Sequence, residues 1–356
     1  MENFVLKLSE DDNVAVARKN LQKGDLGALS QIPFGHKIST RIILEGEPII
    51  KYGLIIGYAK LNINLVEHLH THNVNYREVN KNYEFSENFV PKSINLDNTK
   101  SNFMGFKRSN GLVGTRNTIA ILTSVNCSAT AARMIAEHFS DDKIKGYPNV
   151  DNVTAFVHAT GCGMADNGDG FEALQRVLWG YAKNPNVAGV LLVGLGCEIN
   201  QIDWLLESYQ IKQGPQFQVL NIQNLSGLRK TVEKGIEKIH QMLPIVNKMN
   251  RSICSVSELT LGLQCGGSDA WSGITANPAL GYACDLLISK GGTGVLAETP
   301  EIYGAEHLLI KRAANKSIGK KLVERIEWWE TYTTVSYTHL RAHETPEHLV
   351  CRLLLE

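Results

Sequence analysis

The sequence predicts an α/β protein: a small β-rich N-terminal domain followed by α/β lobes built on parallel sheets. Three observations carry that reading. Residues 1–73 hold short apolar runs broken by Gly, Pro and Asp, too short for helices and too closely spaced for crossover connections. From Asn117 the rhythm changes to an apolar run followed by helical spacing, repeated through residue 252. A shorter series of the same kind occupies residues 253–334. Such alternation implies parallel strands covered by helices on both faces.

The elements follow in order. The first domain contains the runs Asn13–Ala17, Ile42–Leu44, Ile49–Tyr52 and Leu54–Tyr58. Residues 74–110 are rich in Asn, Ser and Lys without periodicity and read as a linker. The lobe at 111–252 has strands predicted at 118–125, 153–158, 187–194 and 217–222, each followed by a helix, at 128–138, 171–182, 203–209 and 228–249. The lobe at 253–334 adds a strand at 259–263, a helix at 277–290 and a strand at 293–297. A last helix is predicted from Tyr303 to about Thr331, interrupted near Ser317–Gly319.

The 36 Lys and Arg balance the 36 Asp and Glu, so no whole-molecule field attracts nucleic acid or an anionic membrane. A small molecule is the expected partner, and assembly into a homo-oligomer is allowed. The N-terminal residues lack the apolar core of a signal peptide and no apolar run reaches membrane-spanning length, so a cytoplasmic address is expected. The seven cysteines include no C-x-x-C pair, which argues against a zinc ribbon or a thioredoxin-like dithiol. Residues 335–356 read as the translation of sequencing-library adapters, so Cys351, His339, His343 and His348 are set aside and the native gene is expected to continue past Thr334.

Four cysteines share one structural address. Cys127, Cys162, Cys197 and Cys265 each follow the carboxyl end of a predicted strand, where open α/β sheets bind ligands. Each alone reads as a small residue in a tight turn; together they read as functional. Cys254 and Cys284 lie outside the pattern and are expected as core thiols. In the segment Glu67–Asn73, an extended chain would put His68, His70 and His72 on one face, a site for a divalent transition metal. His36 and Lys37, after the turn Pro33–Gly35, add another imidazole and a cation. Arg116 suits a bidentate carboxylate contact, or else a solvated turn. The glycine-rich turn Gln264–Asp269 offers backbone amides to an anion, and Glu298 and Glu301 follow a strand.

Taken together, these motifs resemble the altronate and galactarate dehydratase family. The residues that carry the resemblance are Gly35–Lys37, His70–Asn73, Gly105–Arg108, Gly114–Asn117, Ser124–Ala129, Gly161–Gly163, Gly194–Glu198, Leu263–Asp269, Gly273–Pro278 and Glu298–Glu306, in that order along residues 10–334. The resemblance implies an SAF-like N-terminal β domain, elimination of water from a sugar acid, and ferrous iron as cofactor, with manganese as an alternative. For that reaction His70 and His72 are the expected metal ligands and His36, Lys37 and Glu298 the acid/base candidates. Arg116, Asn117, Asn126, Ser268 and Asp269 are the expected substrate contacts. A different cofactor reading makes Cys127, Cys162, Cys197 and Cys265 ligands of an iron–sulfur cluster; it ranks below mononuclear iron because the ligands come from distant loops. A sulfolactate sulfo-lyase activity, or a non-catalytic sugar-acid binding protein, are the competing functions.

Overall fold

Val14–Ala17 is a strand buried along its whole length, and the alternation of its side chains divides the N-terminal core. Val14 joins one cluster with Ile43, Ile49, Ile56, Ala59, Ile63 and Leu69. Ala15 and Ala17 join another with Leu21, Ala28, Ile32, Ile38 and Val66. The strand sits second in an antiparallel sheet ordered Val5–Leu6, Val14–Ala17, Lys37–Ser39, His68–Leu69. A second sheet pairs Pro48–Lys51 with Leu54–Ala59 and adds Val74–Asn75. The hairpin turns through Tyr52 and Gly53, at φ 58° and 70°, the positive values that a two-residue turn between right-twisted strands requires. The run Ile42–Leu44, predicted as a strand, reduces to a single bridge between Ile43 and Ile63, with Ile42 and Leu44 exposed.

The computed structural model describes residues 4–75, 83–90, 101–139, 141–267 and 271–336. It divides into two compact units, residues 1–96 with 259–356, and residues 97–258. The β domain runs two residues past the predicted boundary at 73, because Val74–Asn75 pairs with Leu54–Ala59.

In the same unit, Thr260–Leu263 and Thr293–Leu296 form a parallel pair joined by the helix Ala276–Ser289. The helices Thr299–Ile302, Glu306–Lys311 and Lys316–Ser336 follow. Residues 83–90, assigned to a linker on composition, pack against them. The Ser86 amide donates to the Ile310 carbonyl at 3.1 Å and the Asn88 amide to that of Lys311 at 2.9 Å. The helix break falls at Arg312–Asn315 rather than at Ser317–Gly319. Gly319 is helical and needed there because an added Cβ would lie 2.6 Å from the Phe85 ring.

The other unit holds a four-stranded parallel sheet ordered Asn152–Phe156, Thr118–Thr123, Val187–Gly194, Phe217–Asn221. Its central strands are continuously apolar because both faces are covered. Ile119, Ile121, Leu191 and Val193 pack with the helices Ala129–His138 and Leu228–Val246. Ala120, Leu122, Val190 and Leu192 pack with Asp169–Lys183 and Ile202–Ser208. The chain order reverses between Thr118–Thr123 and Val187–Gly194, which opens a crevice at their carboxyl ends. A three-stranded antiparallel sheet, Ser252–Ser255, Asn102–Lys107 and Val113–Gly114, completes the unit. It takes Asn102–Lys107 out of the predicted linker. Cys254 and Cys284 are buried, as expected of core thiols.

Candidate functional site

Four imidazoles crowd together at one edge of the N-terminal sheet. His36 enters the strand Lys37–Ser39 from a turn in which Gly35 has φ 82° and the His36 amide donates to the Pro33 carbonyl at 3.1 Å. Cross-strand pairing sets Ile38 opposite His68. The chain then leaves the strand, and a turn held by the fully buried Asn73 carries His70 and His72. Asn73 Nδ2 donates to the His68 carbonyl at 2.9 Å and its Oδ1 accepts from the His70 amide at 3.0 Å. Ring centroids lie 5.0 Å apart for His36 and His68, 5.6 Å for His36 and His70 and for His68 and His70, and 5.7 Å for His68 and His72. The rings thus meet through a turn rather than along an extended face. His36 Nδ1 and His68 Nε2 stand 2.9 Å apart. Burial first, then the charges of His36, His70, His72 and Lys37, push His68 down to about 4. It is therefore neutral near pH 7, the form that ligates metals. The donor chemistry suits a divalent transition metal. Among the described residues, however, no three His, Cys, Asp or Glu donors are already disposed around one ion. Lys37 is buried.

A cavity of about 280 Å³ opens at the carboxyl ends of the parallel pair in the same unit. Leu263, Leu280, Leu296 and Leu309 give it apolar walls, and Gln264, Asn277, Glu298 and Arg312 contribute polar groups. Glu298 Oε2 accepts from the Cys265 amide at 2.8 Å, which ties the two strand ends together. Trp271 stacks on Phe34 with centroids 4.9 Å apart. Trp271 precedes Ser272 of the cavity wall, and Phe34 lies two residues before His36. The stacking joins the cavity's rim to the loop that carries the histidine cluster.

The crevice of the other unit carries three of the cysteines, and Cys127, Cys162 and Cys197 are all exposed. The Asn126 amide donates to the Thr160 carbonyl at 2.8 Å. The charge of Cys127, ahead of burial, pushes the Cys162 thiol up. Glu198 lies buried beside them. It accepts from Ser124 Oγ at 2.7 Å, the Leu195 amide at 3.1 Å and the Gly196 amide at 2.5 Å. Asn200 Nδ2 donates to the Ser124 carbonyl at 2.9 Å. Cys265 belongs to the other unit, so the four-cysteine set is divided between the two.

Two expected substrate contacts lie away from the crevice. Arg116 and Asn117 precede the strand Thr118–Thr123 and so lie at the amino end of the sheet, opposite the crevice. Asn117 is fully buried. Its Oδ1 accepts from Arg108 at 2.8 Å, and its Nδ2 donates to the Asn149 and Val246 carbonyls at 2.7 and 3.1 Å. Arg116 is exposed, and its guanidinium lies 3.8 Å from the Asp151 carboxylate. The side chain of Asn126 is at the crevice, where its Oδ1 lies 3.8 Å from Cys127 Sγ. Ser268 and Asp269 fall outside the described residues, as do residues 337–356. Glu198, Asn73 and Arg312 were not singled out from sequence. Glu198 and Asn73 had a signal, their places in the motifs Gly194–Glu198 and His70–Asn73.

Three family models match consecutive parts of the chain. Residues 3–77 match the altronate/galactarate dehydratase SAF domain. Residues 105–247 match the second domain of D-galactarate dehydratase/altronate hydrolase, and residues 256–348 the D-galactarate/altronate dehydratase C-terminal domain. Among curated relatives, an altronate dehydratase of Bacillus subtilis is 34% identical over 93% of this chain and 67% of its own length. An altronate dehydratase of Escherichia coli is 34% identical over 92% of this chain and 66% of its own. A galactarate dehydratase (L-threo-forming) of Escherichia coli is 35% identical over 96% and 68%. The chain thus spans about two thirds of the length of these relatives. Among the described residues, no helix is long and apolar enough to cross a membrane.

Proposed function

Because the chain belongs to the altronate/galactarate dehydratase family, we propose that it is a carbon–oxygen lyase removing water from a sugar acid, with D-altronate the first candidate and 2-dehydro-3-deoxy-D-gluconate the product. The observation that carries the reading is the crowding of His36, His68, His70 and His72, with the loop that leads into His36 stacked through Phe34 on Trp271 at the rim of the Glu298 cavity.

Elimination requires loss of the weakly acidic C2 proton and departure of the C3 hydroxyl with a proton added. Glu298, held by the Cys265 amide, is the base we assign to C2. His36 is the acid assigned to the departing hydroxyl, because the facing His68 nitrogen lets the pair hold one proton between two rings. Arg312 takes the substrate carboxylate in place of Arg116, since it lines the cavity. Gln264 and Asn277 offer hydrogen bonds to the remaining hydroxyls. The apolar walls exclude water from the reacting carbons. His70 and His72 are the residues we assign to ferrous iron, with manganese as the alternative; the bound ion would supply Lewis acidity toward the carboxylate and its neighbouring hydroxyl.

Galactarate is the second candidate, because the galactarate dehydratase relative matches as closely as the altronate enzymes do. The test is turnover of altronate, galactarate and sulfolactate side by side with ferrous ion, following the 2-keto product. Altronate turnover at the highest kcat/KM supports the first reading. Preference for galactarate moves the assignment to the second, and binding without turnover of any of the three overturns both.

A further inference from the structure

The Cys127 and Cys162 loops are locked against each other by backbone. Their parent strands are neighbours in register, with Leu122 opposite Phe156. Beyond the strand ends the Asn126 amide donates to the Thr160 carbonyl at 2.8 Å. Gly161, at φ 102°, presses on the other loop so closely that a Cβ there would stand 2.5 Å from the Ser124 carbonyl oxygen. Asn200 holds both loops, its amide donating to the Gly161 carbonyl at 3.4 Å and its Nδ2 to the Ser124 carbonyl at 2.9 Å. Cys127 follows Asn126 and Cys162 follows Gly161, so the two cysteines stand on the interlocked loops with both residues exposed. Three features combine here: a rigid frame, paired cysteines and access from solvent.

We propose that Cys127 and Cys162 are an oxidisable dithiol, a modification site that closes to an intramolecular disulfide by exchange with a low-molecular-weight disulfide. Cys127 lies in the turn Asn126–Ser128 that opens the helix Ala129–His138. It is the attacking sulfur. Its thiolate forms a bond to one sulfur of the small disulfide, whose S–S bond breaks and releases one small thiolate. The Cys162 thiolate then attacks Cys127 Sγ, breaking the mixed disulfide and releasing the second small thiolate. The two protons lost by the protein thiols end on the two small thiols, so two protein sulfurs are oxidised while one small disulfide is reduced. Closure brings the two sulfurs to about 2.05 Å. The residues assigned above to the dehydratase chemistry belong to the other unit.

Oxidised glutathione is the probe, applied to the whole chain over a range of reduced-to-oxidised ratios and read by non-reducing peptide mapping. The expected result is a Cys127–Cys162 linked species lacking two hydrogens, with Cys197 still open to alkylation as the control on the next loop. Cys162→Ser should stop the reaction at glutathionylated Cys127, and Cys127→Ser should slow modification of Cys162 by at least tenfold. A link from either cysteine to Cys197 would overturn the proposal. So would stable double glutathionylation, or a Cys162→Ser variant in which Cys127 is no longer modified.

Discussion

His36 Nδ1 lies 2.9 Å from His68 Nε2, so one proton serves two facing nitrogens. Burial first, then the like charge that a second proton on His36 would set against it, holds His68 down to about 4. His68 is therefore neutral at ordinary pH, and the rings of His70 and His72 lie within 5.7 Å of it. A His70→Ala, His72→Ala double variant should lose bound iron and at least 100-fold in turnover. Its melting temperature without metal should stay close to that of the parent, because His70 packs through its backbone amide to Asn73. Iron content by metal analysis, alongside turnover, checks this; unchanged iron would remove the assignment.

Glu298 bridges the two strand ends through the Cys265 amide at 2.8 Å. Glu298→Gln keeps an oxygen that can accept that bond, so the fold should persist. Losing the base should cut kcat by about 10²–10⁴-fold with little change in KM. Parent-like kcat in a steady-state assay would remove Glu298 from the chemistry.

Arg116 and Asn117 should separate cleanly. Asn117→Ala strands the Asn149 and Val246 carbonyls and removes one of the acceptors of the Arg108 guanidinium, and should destabilise by about 3 kcal/mol. Arg116→Ala removes only an exposed ion pair and should change stability by less than about 0.5 kcal/mol. It should also leave kcat/KM unchanged. Urea denaturation with a steady-state assay decides; a large KM increase for Arg116→Ala would restore it as a substrate contact.

His307 gives the expected pH dependence of stability. It is half-buried, with Nδ1 unbonded, and burial first, then Lys311, lowers its pKa against the raising effect of Glu306. A lowered folded value means that the unfolded chain binds the proton more readily. The contribution is therefore complete above the unfolded value of about 6.5 and is lost as pH falls through the folded one. Metal-free protein should lose melting temperature between about pH 7 and pH 5, and His307→Gln should flatten part of that slope. An identical slope in the variant would show that His307 does not contribute.

Two glycines test the packing in opposite directions. A Cβ on Gly114 would stand 2.1 Å from the Pro185 carbonyl oxygen, so Gly114→Ala should destabilise by about 2 kcal/mol or more. Gly180 sits inside the helix Asp169–Lys183 with nothing within 4 Å of an added Cβ. Gly180→Ala should stabilise by about 0.5–1 kcal/mol. Thermal unfolding of both variants reads the difference.

Periodicity alone located the parallel lobe. The continuous run Val187–Gly194 was placed at its observed bounds, and the helices around it fell within a few residues of theirs, because burial on both faces leaves no polar interruption. The linker at 74–110 was the least legible segment. Phe85, Ser86 and the strand Asn102–Lys107 gain their partners from residues 250 and beyond, and composition carries no trace of such distant pairing.

The sequence by itself determined the α/β class, the histidine-rich segment and the loop address of the cysteines, since each follows from local period and from residue type. The tertiary structure alone decided which of these meet. Strand pairing brings His36 to His68 across 32 positions, and stacking on Trp271 carries that loop to the Glu298 cavity. Gly161 allows the Cys127 and Cys162 loops to touch, while Arg116 and Asn117, equally polar in sequence, end at the opposite end of the sheet. The physical reason is that a side chain's chemistry is local, whereas the atoms it meets depend on strand order and register, set by burying the whole apolar core at once.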